Sequence, residues 1–281
     1  MQVRPRAEGR RLDLVSLSPE DYLQAYDAQL RTDAETPSAI AVVRLGPLRL
    51  VTFAGGRGFV TYRDLAGADA ATIASWVRQT LEHYRADPDI GRVEWKTRGH
   101  DHAPLLHQAL VDHGFQPQEP ESVMIGEAAL LDVDVPLPAS VTLRRIDTEV
   151  DVRAMSAMQD VAFGDPVSNH MADAALRRLE RKDGMELWVA ESAGQVVGAG
   201  RLEPVESSDF AGIWGGAVLA AWRGQGIYRA LTAVRAHAAL GLGKTLIHSD
   251  STGYSRPILE RSGLIAVATT TPYEWRRTGL A

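Results

Sequence analysis

The sequence predicts a mixed α/β fold (an α+β mixed sheet) built as two units in tandem. Two observations lead to this reading. The chain has 281 residues, enough for two ordinary domains. Segments patterned as strands and helices also run through the chain twice, on either side of LLDVDVPLPAS (130–140), which has two prolines, small and acidic residues and no helical period. That stretch reads as an extended linker. The expected organisation is therefore a first domain over 1–130, a linker over 131–140 and a second domain over 141–281.

The N-terminal MQVRPRAEGRR is basic, but no apolar stretch follows it, so it reads as a solvated leader and not a secretory signal. SAIAVVRLGPLRLVTFAG (38–55) and GFVTYRDL (58–65) read as strands, with GGRG (55–58) as a hairpin turn between them. Residues 69–86 have helical periodicity, and RVEWKT (92–97) is strand-like. APLLHQALVDHGF (103–115) reads as a helix that closes on the glycine of a C-cap.

The second unit opens with the strand VTLRRI (141–146), followed by helical stretches near 149–162 and 171–182. MELWVAES (185–192) and QVVGAGRLEPV (195–205) read as strands joined by a turn at 193–194, and FAGIWGGAVL (210–219) as a third strand. A helix, the strand TLIHS (245–249), a helix near 254–262 and a strand near 266–275 complete the order. The helix ends LLHQALVDHGF and SRPILERSGLI (255–265) are alike, which favours two related units.

Composition narrows the function. Hydrophobic residues make up 45% of the chain and charged residues 23%, as in a globular protein with a real core. The net charge of −6 argues against electrostatic binding to nucleic acid or to an anionic membrane. No apolar run reaches the roughly 20 residues of a membrane helix. The absence of cysteine removes thiolate nucleophiles and Cys-type zinc sites, and points to a reducing cytoplasm. In GHDHAPLLH (99–107), His102 and His107 are five apart with no glutamate following, so no metal site is expected.

Two glycine-rich loops compete for a phosphate. GLGKT (241–245) lacks the first glycine of a P-loop, having Ala238 there, and it follows a helix instead of preceding one. Gly241 and Gly243 therefore read as helix-ending residues, with Lys244 near the negative end of the dipole. RGQGIY (223–228) has the productive order of strand, loop, helix. Gly224, Gln225 and Gly226 can turn N–H groups toward an anion, the helix start adds about 0.3–2 kcal/mol for a negative charge, and Arg223 adds a charge-assisted contact. Gly215 and Gly216, inside the preceding strand, mark a bulge or splay that exposes unpaired backbone to an extended amide-containing arm. A simple packing role for these glycines is the alternative.

The block A217-VLAAWRGQGIYRAL-231 resembles the acyl-CoA-binding motif of the GNAT N-acetyltransferase superfamily, V-x-P-x-x-[RQ]-x-x-G-x-[GA]. Val218, Arg223 and Gly226 fill its positions, and Ile227 and Tyr228 follow. Ala220 replaces the frequent proline. Tyr228 stands where Gly or Ala is usual, a position from which it would crowd or stack on the cofactor. The resemblance extends over 141–276, and the first half resembles a degenerate unit without a phosphate loop. It implies acetyl-CoA, or a related acyl-CoA, as co-substrate for direct transfer to an amine. A small-molecule or peptide acceptor, and a monomeric or homodimeric chain, are expected.

The family's frequent general-acid tyrosine falls at Leu259, so Tyr254 is the leading substitute, with Glu203 assisting the amine. An amine of pKa near 10.4 is roughly 0.05% neutral at pH 7, a cost of about 4.5 kcal/mol, which is why a base matters. The vacancy at Leu259 keeps open a non-catalytic acyl-CoA sensor or interaction module. A nucleotide-binding protein using GLGKT is a third reading.

Overall fold

The computed structural model describes residues 17–278, so the basic leader lies outside the described residues. The first half runs α1 (Pro19–Gln29), β1 (Ala41–Leu45), β2 (Leu48–Phe53), β3 (Arg57–Thr61), α2 (Ala70–Ala86), β4 (Arg92–Arg98), α3 (Leu106–Asp112), β5 (Gln116–Pro117), β6 (Glu121–Glu127) and α4 (Ala128–Leu131). The second half runs β7 (Val141–Ile146), α5 (Glu149–Phe163), α6 (His170–Leu179), β8 (Glu186–Ser192), β9 (Gln195–Pro204), β10 (Phe210–Val218), α7 (Ile227–Gly241), β11 (Leu246–Ser251), α8 (Arg256–Ser262) and β12 (Ile265–Arg276). Among the described residues no helix is long and apolar enough to cross a membrane.

Local chemistry explains most boundaries. Ser18 caps α1 in a reciprocal box with Asp21, Asp69 caps α2 and Thr148 caps α5, each satisfying a free N–H of the first turn. The segment 38–55 is two strands, because Gly46, at φ 56°, turns the chain between β1 and β2. Sequence periodicity missed α1, whose buried face consists mainly of Tyr22 and Tyr26. It also missed β6, whose Val123, Met124 and Ile125 are all fully buried. A strand covered on both faces shows no alternation.

The strands form one 12-stranded sheet in the order β1-β2-β3-β4-β12-β6-β11-β10-β9-β8-β7, with β5 on β12. The stretch 132–140 has no helix or strand, yet it does not separate two closed sheets. Instead the halves exchange their last strands. β6, from the first half, pairs with β11 of the second, placing Val123 opposite Asp250. β12, from the second half, pairs with β4 of the first, placing Tyr273 opposite Trp95.

The exchange reaches the core. Tyr273 and Trp275, on β12, pack with Trp95, Tyr84 and Phe115 under α2 and α3. The second half packs α7 onto β9 and β10 through Leu202, Ile213, Ala236 and Ala239. Truncating one buried aromatic costs about 3–5 kcal/mol, so the first half depends on a strand that the chain supplies last.

Candidate functional site

The RGQGIY loop joins β10 to α7 as the sequence order requires. Gly224 and Gly226 adopt left-handed backbone, φ 76° and 82°, a conformation that costs other residues roughly 1–2 kcal/mol. Gly226 is the N-cap of α7 and supplies no side chain to it. The first helical bond runs from the Ala230 N–H to the Gly226 carbonyl at 2.9 Å, and the N–H groups from Gly224 to Arg229 find no backbone acceptor among the described residues. This leaves a row of donors at the positive end of a helix, the arrangement that binds an anion.

Neighbours brace the loop. Val218 and Ile227 are buried beneath it, and the Pro136 carbonyl of the linker would lie 3.2 Å from a Cβ at Gly226. Gln225 donates to the Ala221 carbonyl at 3.2 Å. Arg223, expected to add a charge-assisted contact to the anion, also ties the loop down. Its Nε donates to the Val218 carbonyl and its Nη2 to the Ala162 carbonyl, each at 3.1 Å. These bonds hold its charge beside the cradle.

The expected splay is present. β10 and β11 pair in parallel only over Phe210–Gly212 and Leu246–His248, and at the fork Ser249 Oγ donates to the Ile213 carbonyl at 2.9 Å. Beyond the fork, Gly215 has φ 60°, and the β9 register shifts between Trp214 and Ala217. A Cβ at Gly216 would meet the Tyr228 ring at 2.8 Å. The Tyr228 ring therefore packs back against the strand, into the space the glycine leaves, and also lines the cleft. The bulge and the packing role thus both hold, at adjacent glycines.

The second loop is a helix end. The N–H groups of Gly243 and Lys244 close the α7 C-terminus onto Leu240 and Ala239, both at 2.9 Å. Lys244 Nζ donates to the carbonyls of Val205 and Ser208 at 2.6 and 2.7 Å, pinning the β9–β10 turn.

Two cavities meet at the fork. A cleft of about 940 Å³ runs from the RGQGIY loop past Gly215 and Gly216 to Ser249. A cavity of about 1360 Å³ lies between the halves, lined by Glu35, Glu94 and Lys96 from the first and Arg178, Glu203 and His248 from the second. Trp214 and Asp250 line both. Asp250 Oδ2 accepts from Lys96 Nζ at 2.5 Å, while its Oδ1 is buried without a hydrogen-bond partner. Burial opposes the charge on each, but their attraction prevails, so the Asp250 pKa is lowered and that of Lys96 raised. Glu35 behaves like Asp250, held ionised mainly by Arg98 against its own burial.

Burial pushes the His248 pKa down from 6.5 to about 4. The stability that comes with its neutral ring is complete above pH 6.5 and is lost as pH falls toward 4, because the unfolded chain takes up the proton first. Glu121 has the opposite sign. Burial, then Asp250, raises its pKa from 4.5 to about 7, so acidification from 7 to 4.5 favours the folded chain. The two slopes offset each other. Glu121→Gln should therefore steepen the fall of melting temperature between pH 6.5 and 4.5, and an unchanged profile would count against this assignment.

The residues expected to move protons lie in different cavities. Glu203 lines the cavity between the halves, paired with Arg201 and 3.8 Å from Arg178. Tyr254 is 90% exposed in the wall of the cleft. Leu259 is fully buried in the core against α7 and α4. The sequence reading missed Asp250, whose spacing from His248 places both on one face of β11, and Trp214. His107 of the histidine-rich stretch contacts the Tyr273 hydroxyl at 2.7 Å.

Residues 152–255 match the model of the Acetyltransferase (GNAT) family. That match lies within the second half. The fold of nearly the whole chain recurs in solved structures. A GCN5-related N-acetyltransferase from Kribbella flavida superposes with TM-score 0.61 at 19% identity, over 93% of this chain and 95% of the other. One from Sphaerobacter thermophilus gives 0.59 at 19%, over 93% and 94%. A tandem GNAT protein from the clavulanic acid biosynthesis pathway gives 0.59 at 14%, over 93% and 97%. No curated protein matches. At these identities the superpositions show a shared tandem GNAT fold.

Proposed function

We propose that the chain is an acyl-CoA-dependent N-acyltransferase with one working site, in its GNAT domain. The observation that carries this reading is that Trp214 and Asp250 line both the cleft that ends at the RGQGIY loop and the cavity between the halves. The cradle would hold the pyrophosphate of acetyl-CoA or a related acyl-CoA, and the unpaired backbone of the splayed β10 would hold the pantetheine amides. The cavity between the halves would receive a small-molecule or peptide amine.

In this reading the amine nitrogen attacks the thioester carbon across the junction, the C–S bond breaks, and the sulfur leaves as a thiolate. Asp250 Oδ1, buried and unpartnered, accepts a hydrogen bond from the amine and receives its proton directly or through water. Glu203, held by Arg201 and Arg178, assists by orienting the acceptor. Tyr254 is the phenol in the cleft wall that can swing to the thiolate.

Among the described residues the first half has no equivalent cradle. The N-terminus of α2 is already capped by the Asp69 carboxylate, which repels a phosphate. β3 stays paired with β4 from Arg57 to Val60 and does not splay. A second reading, a non-catalytic acyl-CoA sensor, draws on the burial of Leu259 where a general acid is frequent. A panel of amines with acetyl-CoA and free-thiol detection separates the two: the enzyme releases thiol steadily with at least one amine, and the sensor with none.

A further inference from the structure

A buried cation in the cleft has no counter-ion among the described residues. Arg235, on α7, is 1% exposed yet lines the cleft near the fork. Its Nε donates to the Leu231 carbonyl of its own helix at 2.8 Å, and its Nη1 reaches only the carbonyls of Arg201 and Trp214, at 3.3 and 3.5 Å. Its Nη2 has no partner, and no carboxylate pairs with it among the described residues. β9 makes room for the group with Gly200, where a Cβ would lie 2.6 Å from the guanidinium. Burial draws the pKa down to about 10, so the group remains charged at neutral pH. An uncompensated buried charge is among the least favourable things a fold can hold, and a bound anion would relieve it.

The position tells which part of a ligand that would be. Arg235 lies nine residues beyond Gly226, about 13 Å along the helix. A pantetheine arm is comparable to four extended residues, roughly 14 Å. An arm that runs from the cradle alongside α7 would bring its acyl end level with Arg235.

We propose that Arg235 recognises a carboxylate on the acyl group, so that the preferred donor is a short dicarboxylic acyl-CoA of the malonyl or succinyl type. The inference rests on the acyl-CoA reading of the cleft. Transfer would follow the same course: nitrogen attacks the thioester carbon, sulfur departs as thiolate, the amine proton goes to Asp250 or water, and the product amide keeps its free carboxylate beside Arg235.

Calorimetric titration of the full chain needs no acceptor. The ligands are acetyl-CoA, butyryl-CoA, malonyl-CoA and succinyl-CoA, and the proteins wild type, Arg235→Lys and Arg235→Met. Wild type should bind malonyl- or succinyl-CoA at least tenfold tighter than butyryl-CoA. Arg235→Met should erase that difference while holding butyryl-CoA within about threefold, and Arg235→Lys should keep part of it. Equal or tighter binding of butyryl-CoA by wild type overturns the proposal, even if Arg235→Met fails to fold. So does a carboxylate preference that survives in Arg235→Met. If wild type binds none of the four, the acyl-CoA reading itself has failed and this inference falls with it.

Discussion

Arg223→Glu should abolish most of the stabilisation that acetyl-CoA gives the chain. At a hundred times its Kd a ligand adds about 2.7 kcal/mol, and a chain of this size should then melt roughly 5–10 °C higher. The substitution removes the bonds that tie the loop to Val218 and Ala162 and places a carboxylate beside the pyrophosphate. A hundredfold loss of affinity would cut the stabilisation to about 0.4 kcal/mol, close to no shift. Lys244→Ala is the contrasting variant. It releases the β9–β10 turn and lowers the melting temperature of the free protein, but the rise on adding acetyl-CoA should persist. If Lys244→Ala removes the rise and Arg223→Glu does not, the wrong loop has been assigned.

Asp250→Asn should cost at least 10²-fold in kcat, with acetyl-CoA binding retained, measured with the amine that turns over fastest. Asparagine keeps an oxygen for Lys96 but cannot take the amine proton, and general-base catalysis typically contributes 10²–10⁴. Thermal denaturation must accompany the assay, because weakening a buried pair leaves the Lys96 charge less compensated. Tyr254→Phe and Glu203→Gln belong in the same series. A large loss in Glu203→Gln with Asp250→Asn near wild type would move the base to Glu203. If all three stay within about threefold, catalysis rests on positioning, with water carrying the protons.

The second half was largely legible in the sequence because its signals are local. Glycines at 224 and 226 between a strand and a helix specify a left-handed loop and a bare helix start whatever the rest of the chain does. Gly215 marked the bulge for the same reason. The cavity between the halves was not legible. Its walls come from Glu35, Lys96, Glu203 and Asp250, which share no segment and meet only because β6 and β12 exchange places. Strand exchange is a long-range pairing and leaves no periodic trace. Burial on both faces hid β6 as well, since its run from Val123 to Ile125 does not alternate. Arg235 was overlooked because an arginine in a helix ordinarily faces water, and only packing against Gly200 shows otherwise.

One acyl-CoA should bind each chain, at the RGQGIY cradle and in the splayed cleft beside it. Calorimetric titration of the full chain with acetyl-CoA tests it most directly. The stoichiometry should be near one, and binding should collapse in Arg223→Glu. A stoichiometry near two, or an undiminished single site in Arg223→Glu, would contradict it.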